Sequence, residues 1–424
     1  MTPQPPAGRA ASRHFATIGT LPVTAAAKPP EARSVLSSVR IVGRSTARPF
    51  SLANEERLRR CFARLGVNDV GAIEQGLPQA GDLWLVRGDW LFDESVLAGL
   101  LRRRNFVLAV ERGGRRHAVA AGVPAAQAGE VVAASSIDSS ELDVDLCQRL
   151  GFDIVDLDAV GNAYRGNLRN RVPPFVLPLD HMALHDIEWH MFMASYKGVT
   201  DIVTRHLWPR PAMLVTRWCA AGGVSPNAVT FASFLCVVAA TVLFATGWYW
   251  IGLVFAWLMC FLDTVDGKLA RVTITSSKWG NVFDHGTDLV HPPFWWFAWY
   301  WGLATLPFAP APGVGAATAI VLAGYLLGRA QEGIFLWTFG IEMHVWRKLD
   351  SVFRGFTARR NPNLILFTVG TALGRPDWAL IMVAAWTVAS FAFHCVRIAQ
   401  AFVERGRGRR IVSWLAIGEA PAGA

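Results

Sequence analysis

Two long stretches of this chain contain no Asp, Glu, Lys or Arg: Trp218 to Leu262 and Leu289 to Gly328. A helix needs about 20 apolar residues to cross the hydrocarbon of a bilayer. Inside lipid only helices and closed barrels satisfy their own backbone hydrogen bonds. The back half of the chain is therefore expected to be a bundle of membrane helices. Spacing places six crossings near 227–246, 249–270, 281–303, 312–334, 361–374 and 377–402. The fifth is short and ends before Arg375, which fits a partial crossing.

Charge orients the bundle. The turns at Gly247–Trp250, Pro307–Gly313 and Leu373–Trp378 are almost uncharged, whereas Arg205–Arg217, Arg271–Lys278, Arg347–Arg360 and Arg405–Arg410 are basic. By the positive-inside rule the basic loops and both termini are cytoplasmic, and the expected location is a bacterial inner (plasma) membrane. Trp248–Trp250 and Trp295–Tyr300 suit aromatic belts at the interfaces, although packing aromatics would look the same. The net charge of +9 is distributed around the apolar runs rather than along one stripe, so anionic lipid and not nucleic acid is the expected partner.

The front half reads differently. Residues 1–33 are a leader rich in Pro and Ala without a signal-peptide core, and are expected to be disordered. From 34 to 180 short apolar runs at Ser38–Val42, Leu83–Arg87, Phe106–Val110 and His117–Ala121 alternate with helical segments such as Asn54–Leu65. That is the pattern of a cytoplasmic α/β domain, with an acidic run at Ser139–Asp145 and an exit through the proline-rich Arg169–Pro178. Residues 181–218 are expected to form a juxtamembrane amphipathic helix, Ile187–Arg217, broken near Pro209 and Pro211. The membrane domain follows over 219–405 and a basic cytoplasmic tail over 406–424. The six cysteines have no zinc-like spacing and read as packing residues in a reducing compartment.

At the ends of two apolar runs stand four aspartates, Asp263, Asp266, Asp284 and Asp288, with Gly267, Ala270, Arg271 and Gly280 between them. Carboxylates beside lipid-buried segments are costly, and the default reading is functional. On a helix, positions 263, 266, 267 and 270 share one face, and 284 and 288 are i, i+4 neighbours on the next. Four like charges on two antiparallel helices repel unless cations neutralise them. Hard divalent cations, Mg²⁺ or Mn²⁺ and two in number, match an all-oxygen site and could clamp a diphosphate. The small residues leave room for a ligand, and Arg271 can hold a phosphate oxygen. A transporter would place its charges nearer the bilayer midplane. A noncatalytic lipid-binding scaffold would need the basic loops but not Asp288.

The stretch DTVDGKLARVTITSSKWGNVFDHGTD, Asp263 to Asp288, resembles the signature of the CDP-alcohol phosphotransferases, DxxDGxxAR, eight residues, then GxxxDxxxD, without departure. The resemblance covers roughly residues 190–405 and implies a six-helix membrane enzyme. It would transfer a phosphate-linked alcohol from a CDP-alcohol donor to an acceptor alcohol and release CMP. It further implies that Asp263, Asp266 and Asp284 hold metal, and that Asp288 is the general base and also touches a metal. Asp263, Gly267, Ala270, Arg271 and Gly280 would contact the CDP moiety, as would Asn227 and Thr230 in SPNAVT, and a homodimer is expected. The donor, CDP-diacylglycerol or a CDP-polyol, and the acceptor, an alcohol or a polyol phosphate, stay open.

Three further signals remain. His285 and His291 flank the acids and read either as metal neighbours or as packing residues. Arg329 and Glu332 form an i, i+3 pair or, together with Arg354, Arg359 or Arg360, line an acceptor pocket. LWLVRGDWLFD, Leu83 to Asp93, resembles the mid-domain strand of sugar-phosphate nucleotidyltransferases, with Asp89 at the metal position, but VGRSTARP (Val42 to Pro49) lacks that family's glycine-rich GxGTR loop. A degenerate nucleotidyltransferase-like domain is expected; an active cytidylyltransferase in a bifunctional enzyme is the alternative.

Overall fold

The computed structural model describes residues 37–129, 149, 151–276 and 278–417, apart from the side chains of Lys278, Trp279, Asn281, Asp284 and His285. The leader, the acidic run at 139–145, Cys147 and the end of the tail lie outside the described residues.

The front half is built on a mixed sheet because its apolar runs are buried on both faces. The strands are β1 (Ser37–Val42), β2 (Asp69–Ala72), β3 (Asp82–Arg87), β4 (Trp90–Phe92), β5 (Phe106–Arg112), β6 (Arg115–Pro124) and β7 (Asp153–Val155). All except β4 join one sheet in the order β2-β1-β3-β6-β5-β7, with β6 antiparallel to both neighbours. Alternation along β3 shows why it is central: Leu83 and Leu85 enter one core, Trp84 and Val86 the other. The second core is covered by α1 (Asn54–Arg64) and α2 (Glu94–Leu100), through Leu58, Cys61, Phe62, Val96, Leu97 and Leu100. Burial pushes the Cys61 thiol up to about 12, which leaves it an inert packing group. The proline-rich stretch expected to leave the domain instead folds back, because Val176–Pro178 pairs antiparallel with β4.

Ile187–Arg217 is not one helix broken at its prolines. It forms α3 (Leu184–Ala194), α4 (Ile202–His206) and α5 (Pro209–Ala221), so the chain breaks at residues 195–201 and Pro209 starts a helix. Proline in a first turn sacrifices no intrahelical hydrogen bond. Met191, Val199 and Val203 are buried against the protein, while Leu207 and Leu214 are exposed.

The back half forms α6 (Pro226–Ala245), α7 (Tyr249–Val272), α8 (Lys278–Gly302), α9 (Val314–Phe339), α10 (Lys348–Arg354), α11 (Arg360–Ala372) and α12 (Pro376–Gly406). Among the described residues four of these, α6, α7, α9 and α12, are long and apolar enough to cross a membrane. Helix α11 has 13 residues, about 20 Å at ~1.5 Å per residue, against ~30 Å of hydrocarbon. Outward positions such as Phe231, Val242, Val254, Leu326 and Trp337 are exposed and apolar, as a lipid-facing surface requires.

Trp295, Trp296 and Trp299 are not belt residues; they are fully buried with Phe244, Tyr249 and Phe367. Burying an indole demands a partner for its N–H. Trp295 donates to the Val237 carbonyl at 3.1 Å and Trp299 to that of Pro376 at 2.9 Å. Trp248 and Trp250 are exposed.

Candidate active site

Helix α7 ends with the first half of the aspartate motif. Asp266 is 4% exposed. Its Oδ2 accepts a hydrogen bond from Thr230 Oγ1 of α6 at 2.7 Å, while its Oδ1 is buried without a hydrogen-bond partner. An orphaned carboxylate oxygen in a low-dielectric pocket is costly, and a cation is its natural complement. Asn227 lies one turn before Thr230 and is exposed, beyond the Ser225 side chain that caps α6. A Cβ at Gly267 would meet Arg271 Nη2 at 3.1 Å, so the end of that arginine would have to shift. The Arg271 Nε donates to the Ser195 carbonyl at 3.1 Å. On another face Lys268, 2% exposed, places its Nζ 3.0 Å from the ring centroid of Tyr196. Ala270 and Gly280 are half-buried.

The second half of the motif rises on α8, and Arg360 at the start of α11 joins the two. Its guanidinium donates to Asp263 Oδ2 at 2.6 Å and also to Asp288 Oδ1. A rigid fork between two carboxylates on different helices brings them together and offsets their repulsion. Arg360, expected in an acceptor pocket, thus touches the acids themselves. The Asp284 side chain lies outside the described residues, and among the described residues no group of three or more His, Cys, Asp or Glu stands at metal-ligand spacing. The oxygen donors of Asp263, Asp266 and Asp288, one of them orphaned, nevertheless fit a hard divalent cation. His291 is buried, with Nδ1 2.7 Å from the Thr287 carbonyl, its ring packed on Trp295 and its Nε2 without a hydrogen-bond partner.

Beside the acids lies a cleft lined by Tyr325, Arg329, Glu332, Arg359, Ser390 and His394, among others. Glu332 is its hub. Arg329 pairs with it at 3.3 Å, Arg359 binds its other oxygen, and His344 Nε2 is 3.2 Å from it. Both sequence readings of Arg329 therefore meet in one place: it pairs with Glu332 and lines a pocket. Burial lowers the His344 imidazole to about 3 despite that carboxylate. The Tyr325 hydroxyl donates to the Leu289 carbonyl at 2.7 Å, tying the cleft to the residue after Asp288. Glu332, paired with Arg329 by its spacing, lines the cleft, and His344 behind it is the neighbour that no sequence spacing signalled.

The link between the two halves of the motif has its own geometry. Helix α7 closes with Thr275 N–H on the Ala270 carbonyl at 3.0 Å and Ile274 N–H on that of Arg271 at 3.4 Å. This is a Schellman ending, in which glycine usually takes the left-handed position. Here Ile274 takes it, at φ 57°, at a cost of about 1–2 kcal/mol. Its side chain packs against the core of the α/β region, and burying an isoleucine recovers about 1.5–3 kcal/mol at most.

In the α/β region Asp89 pairs with Arg87 and faces Gly43, whose added Cβ would lie 3.6 Å from its Oδ1. Gly43 and Asp89, the two elements of the nucleotidyltransferase resemblance, are thus neighbours.

Residues 223–403 match the model of the CDP-alcohol phosphatidyltransferase family. Over 94 residues the chain is 35% identical to phosphatidylinositol phosphate synthase of Mycobacteroides abscessus, covering 20% of this chain and 43% of that protein. Over 128 residues it is 27% identical to cholinephosphotransferase 1 of Danio rerio, covering 28% and 32%. The chain thus spans less than half the length of these relatives. The crystal structure of Mycobacterium tuberculosis phosphatidylinositol phosphate synthase with CDP-DAG bound aligns at 17% identity and a TM-score of 0.36, over 45% of this chain and 94% of that one. The same synthase in complex with manganese and citrate aligns at 17% identity and a TM-score of 0.37, over 49% and 93%. The aspartate motif, Asp263 to Asp288, thus lies inside the stretch, residues 223–403, that matches the CDP-alcohol phosphatidyltransferase family model.

Proposed function

We propose that the chain transfers a phosphate-linked alcohol from a CDP-alcohol, such as CDP-diacylglycerol, to a second alcohol and releases CMP. The observation that carries this reading is the Arg360 fork that joins Asp263 and Asp288 across two helices, with the Asp266 Oδ1 on the same helix as Asp263 buried and unpartnered. Asp263, Asp266, Asp284 and Asp288 would hold Mg²⁺ or Mn²⁺, two ions in all, and the bound cations would neutralise the diphosphate and the departing phosphate. The protein's own groups do the rest. Gly267, Ala270 and Gly280 leave room for the nucleotide, Arg271 holds a phosphate oxygen, and Asn227 and Thr230 border the nucleotide end. Asp288 takes the proton of the acceptor hydroxyl as its oxygen bonds to the phosphorus that carries the alcohol, and the bond from that phosphorus to CMP breaks.

The acceptor in this reading is a polyol phosphate. Arg329 and Arg359 in the cleft, with Arg360 at its border to the acids, supply cations for a phosphate. The parent layout is six crossings over 219–405 with both termini cytoplasmic in a bacterial inner membrane, as a homodimer. It is preceded by a leader (1–33), a degenerate nucleotidyltransferase-like domain (34–180) and a juxtamembrane segment (181–218), and followed by a basic tail (406–424).

Purified protein supplied with Mn²⁺, CDP-diacylglycerol or CDP-polyols and a panel of acceptors is expected to release CMP with at least one pair. Absence of CMP release from every pair, by protein that remains folded, would overturn the proposal.

A further inference from the structure

We propose that the α/β region is a positioning clamp for the donor site, acting on the link between the two halves of the aspartate motif. The inference rests on the CDP-alcohol reading above and adds to it a role for residues far from the motif in sequence. Three contacts carry it. Arg60 Nη1 of α1 donates to the Thr273 carbonyl at 2.9 Å, capping the C-terminus of α7 from outside the helical bundle. Arg64 Nη2, one turn on, donates to Ser276 Oγ at 3.0 Å. Between them Ile274, left-handed at φ 57°, packs against the α/β core.

The exchange is reciprocal. Phe50 of the α/β region is left-handed too, at φ 51°, and is buried in the hydrophobic cluster that also holds Val265, Leu269 and Val272 of α7. A non-glycine residue holds such a conformation only where its surroundings over-determine it. The two residues tie the end of α7 to the α/β region from both sides, so that end cannot rotate or slide without disturbing their packing. That end carries Asp266, Gly267, Ala270 and Arg271, and the clamped link sets where α8 begins. The clamp therefore fixes the register of the first pair of aspartates against the second, and leaves the Arg329–Arg359 cleft untouched.

The test uses the full chain in detergent and three variants. Arg60→Ala with Arg64→Ala removes exposed hydrogen bonds, and Ile274→Ala removes the inserted side chain. Two quantities are read: amide exchange at residues 272–276, and CDP affinity by calorimetry with Mn²⁺, backed by apparent KM for donor and acceptor. Exchange is expected to accelerate and CDP binding to weaken about three- to tenfold, with the acceptor KM unchanged. Arg60→Lys with Arg64→Lys is expected to restore most of the affinity. Should Ile274→Ala fail to fold, the arginine pair decides alone. Folded variants with wild-type exchange at 272–276 would overturn the clamp, and so would accelerated exchange with unchanged CDP affinity. Wild-type protein that binds no CDP would instead overturn the donor-site reading, and with it the clamp's purpose, while the exchange measurement still reports whether the link is held.

Discussion

Thr230 Oγ1 donates to Asp266 Oδ2 at 2.7 Å, joining the first helix of the bundle to the centre of the aspartate motif. Thr230→Val keeps the shape and removes the donor, leaving both oxygens of a buried carboxylate unpaired. Loss of about 1–3 kcal/mol of stability is expected, seen as a lower thermal midpoint in detergent. Divalent-cation affinity should fall about tenfold or more, because the hydrogen bond orients the ligand. A variant with wild-type midpoint and wild-type cation affinity would contradict this role.

Arg360 is the counter-charge of Asp263 and Asp288 where no cation is bound. Arg360→Ala should lower the midpoint in chelator by about 1–3 kcal/mol, less than for a fully buried pair because the Asp288 side chain is 38% exposed. Adding Mn²⁺ should then raise the midpoint more in the variant than in the wild type. Equal cation-induced shifts in the two proteins would show that Arg360 and the cation do not share these carboxylates.

Asp288→Asn removes a base but keeps the size of the side chain. Transfer is expected to fall by about 10²–10⁴-fold while CDP binding persists. Full turnover by this variant with metal supplied would rule out the base assignment.

Arg329→Ala should raise the apparent acceptor KM and leave CDP affinity unchanged, since Arg329 lines the cleft and the proposed nucleotide contacts lie on α6, α7 and α8. Paired titrations of donor and acceptor decide it.

His344 predicts an acid limb of stability. Its pKa is depressed from 6.5 to about 3 by burial, so the unfolded chain binds the proton more readily than the folded one. This contribution is complete above pH ~6.5 and is lost progressively as pH falls towards ~3. His344→Gln should flatten that limb in a midpoint-versus-pH series, and an unchanged slope would dismiss it.

The motif was legible because its information is local. A period of 3.6 residues places 263, 266, 267 and 270 on one helix face whatever surrounds that helix, and helices occupy the six segments read as crossings, four of them, among the described residues, long and apolar enough to span. Patterning misled where burial depends on neighbours. Trp295, Trp296 and Trp299 have the composition of an interface belt yet fill the core, and Pro209 read as a breaker but starts a helix. The Arg329–Glu332 spacing was legible, but nothing announced that His344 would join Glu332, since a contact across 12 residues and two elements has no periodic trace.

What the sequence by itself determined is the chemistry: membrane-length apolar runs, and four carboxylates with small residues at the spacing that makes one oxygen-rich site. What only the tertiary structure decided is who faces that chemistry. Arg360 bridges Asp263 and Asp288 across 97 and 72 residues of chain, and Ile274 packs in the core of the sheet region that begins the described chain. Such pairings are set by which surfaces close on one another to exclude solvent. That is a property of the whole packed molecule, so no local pattern encodes it.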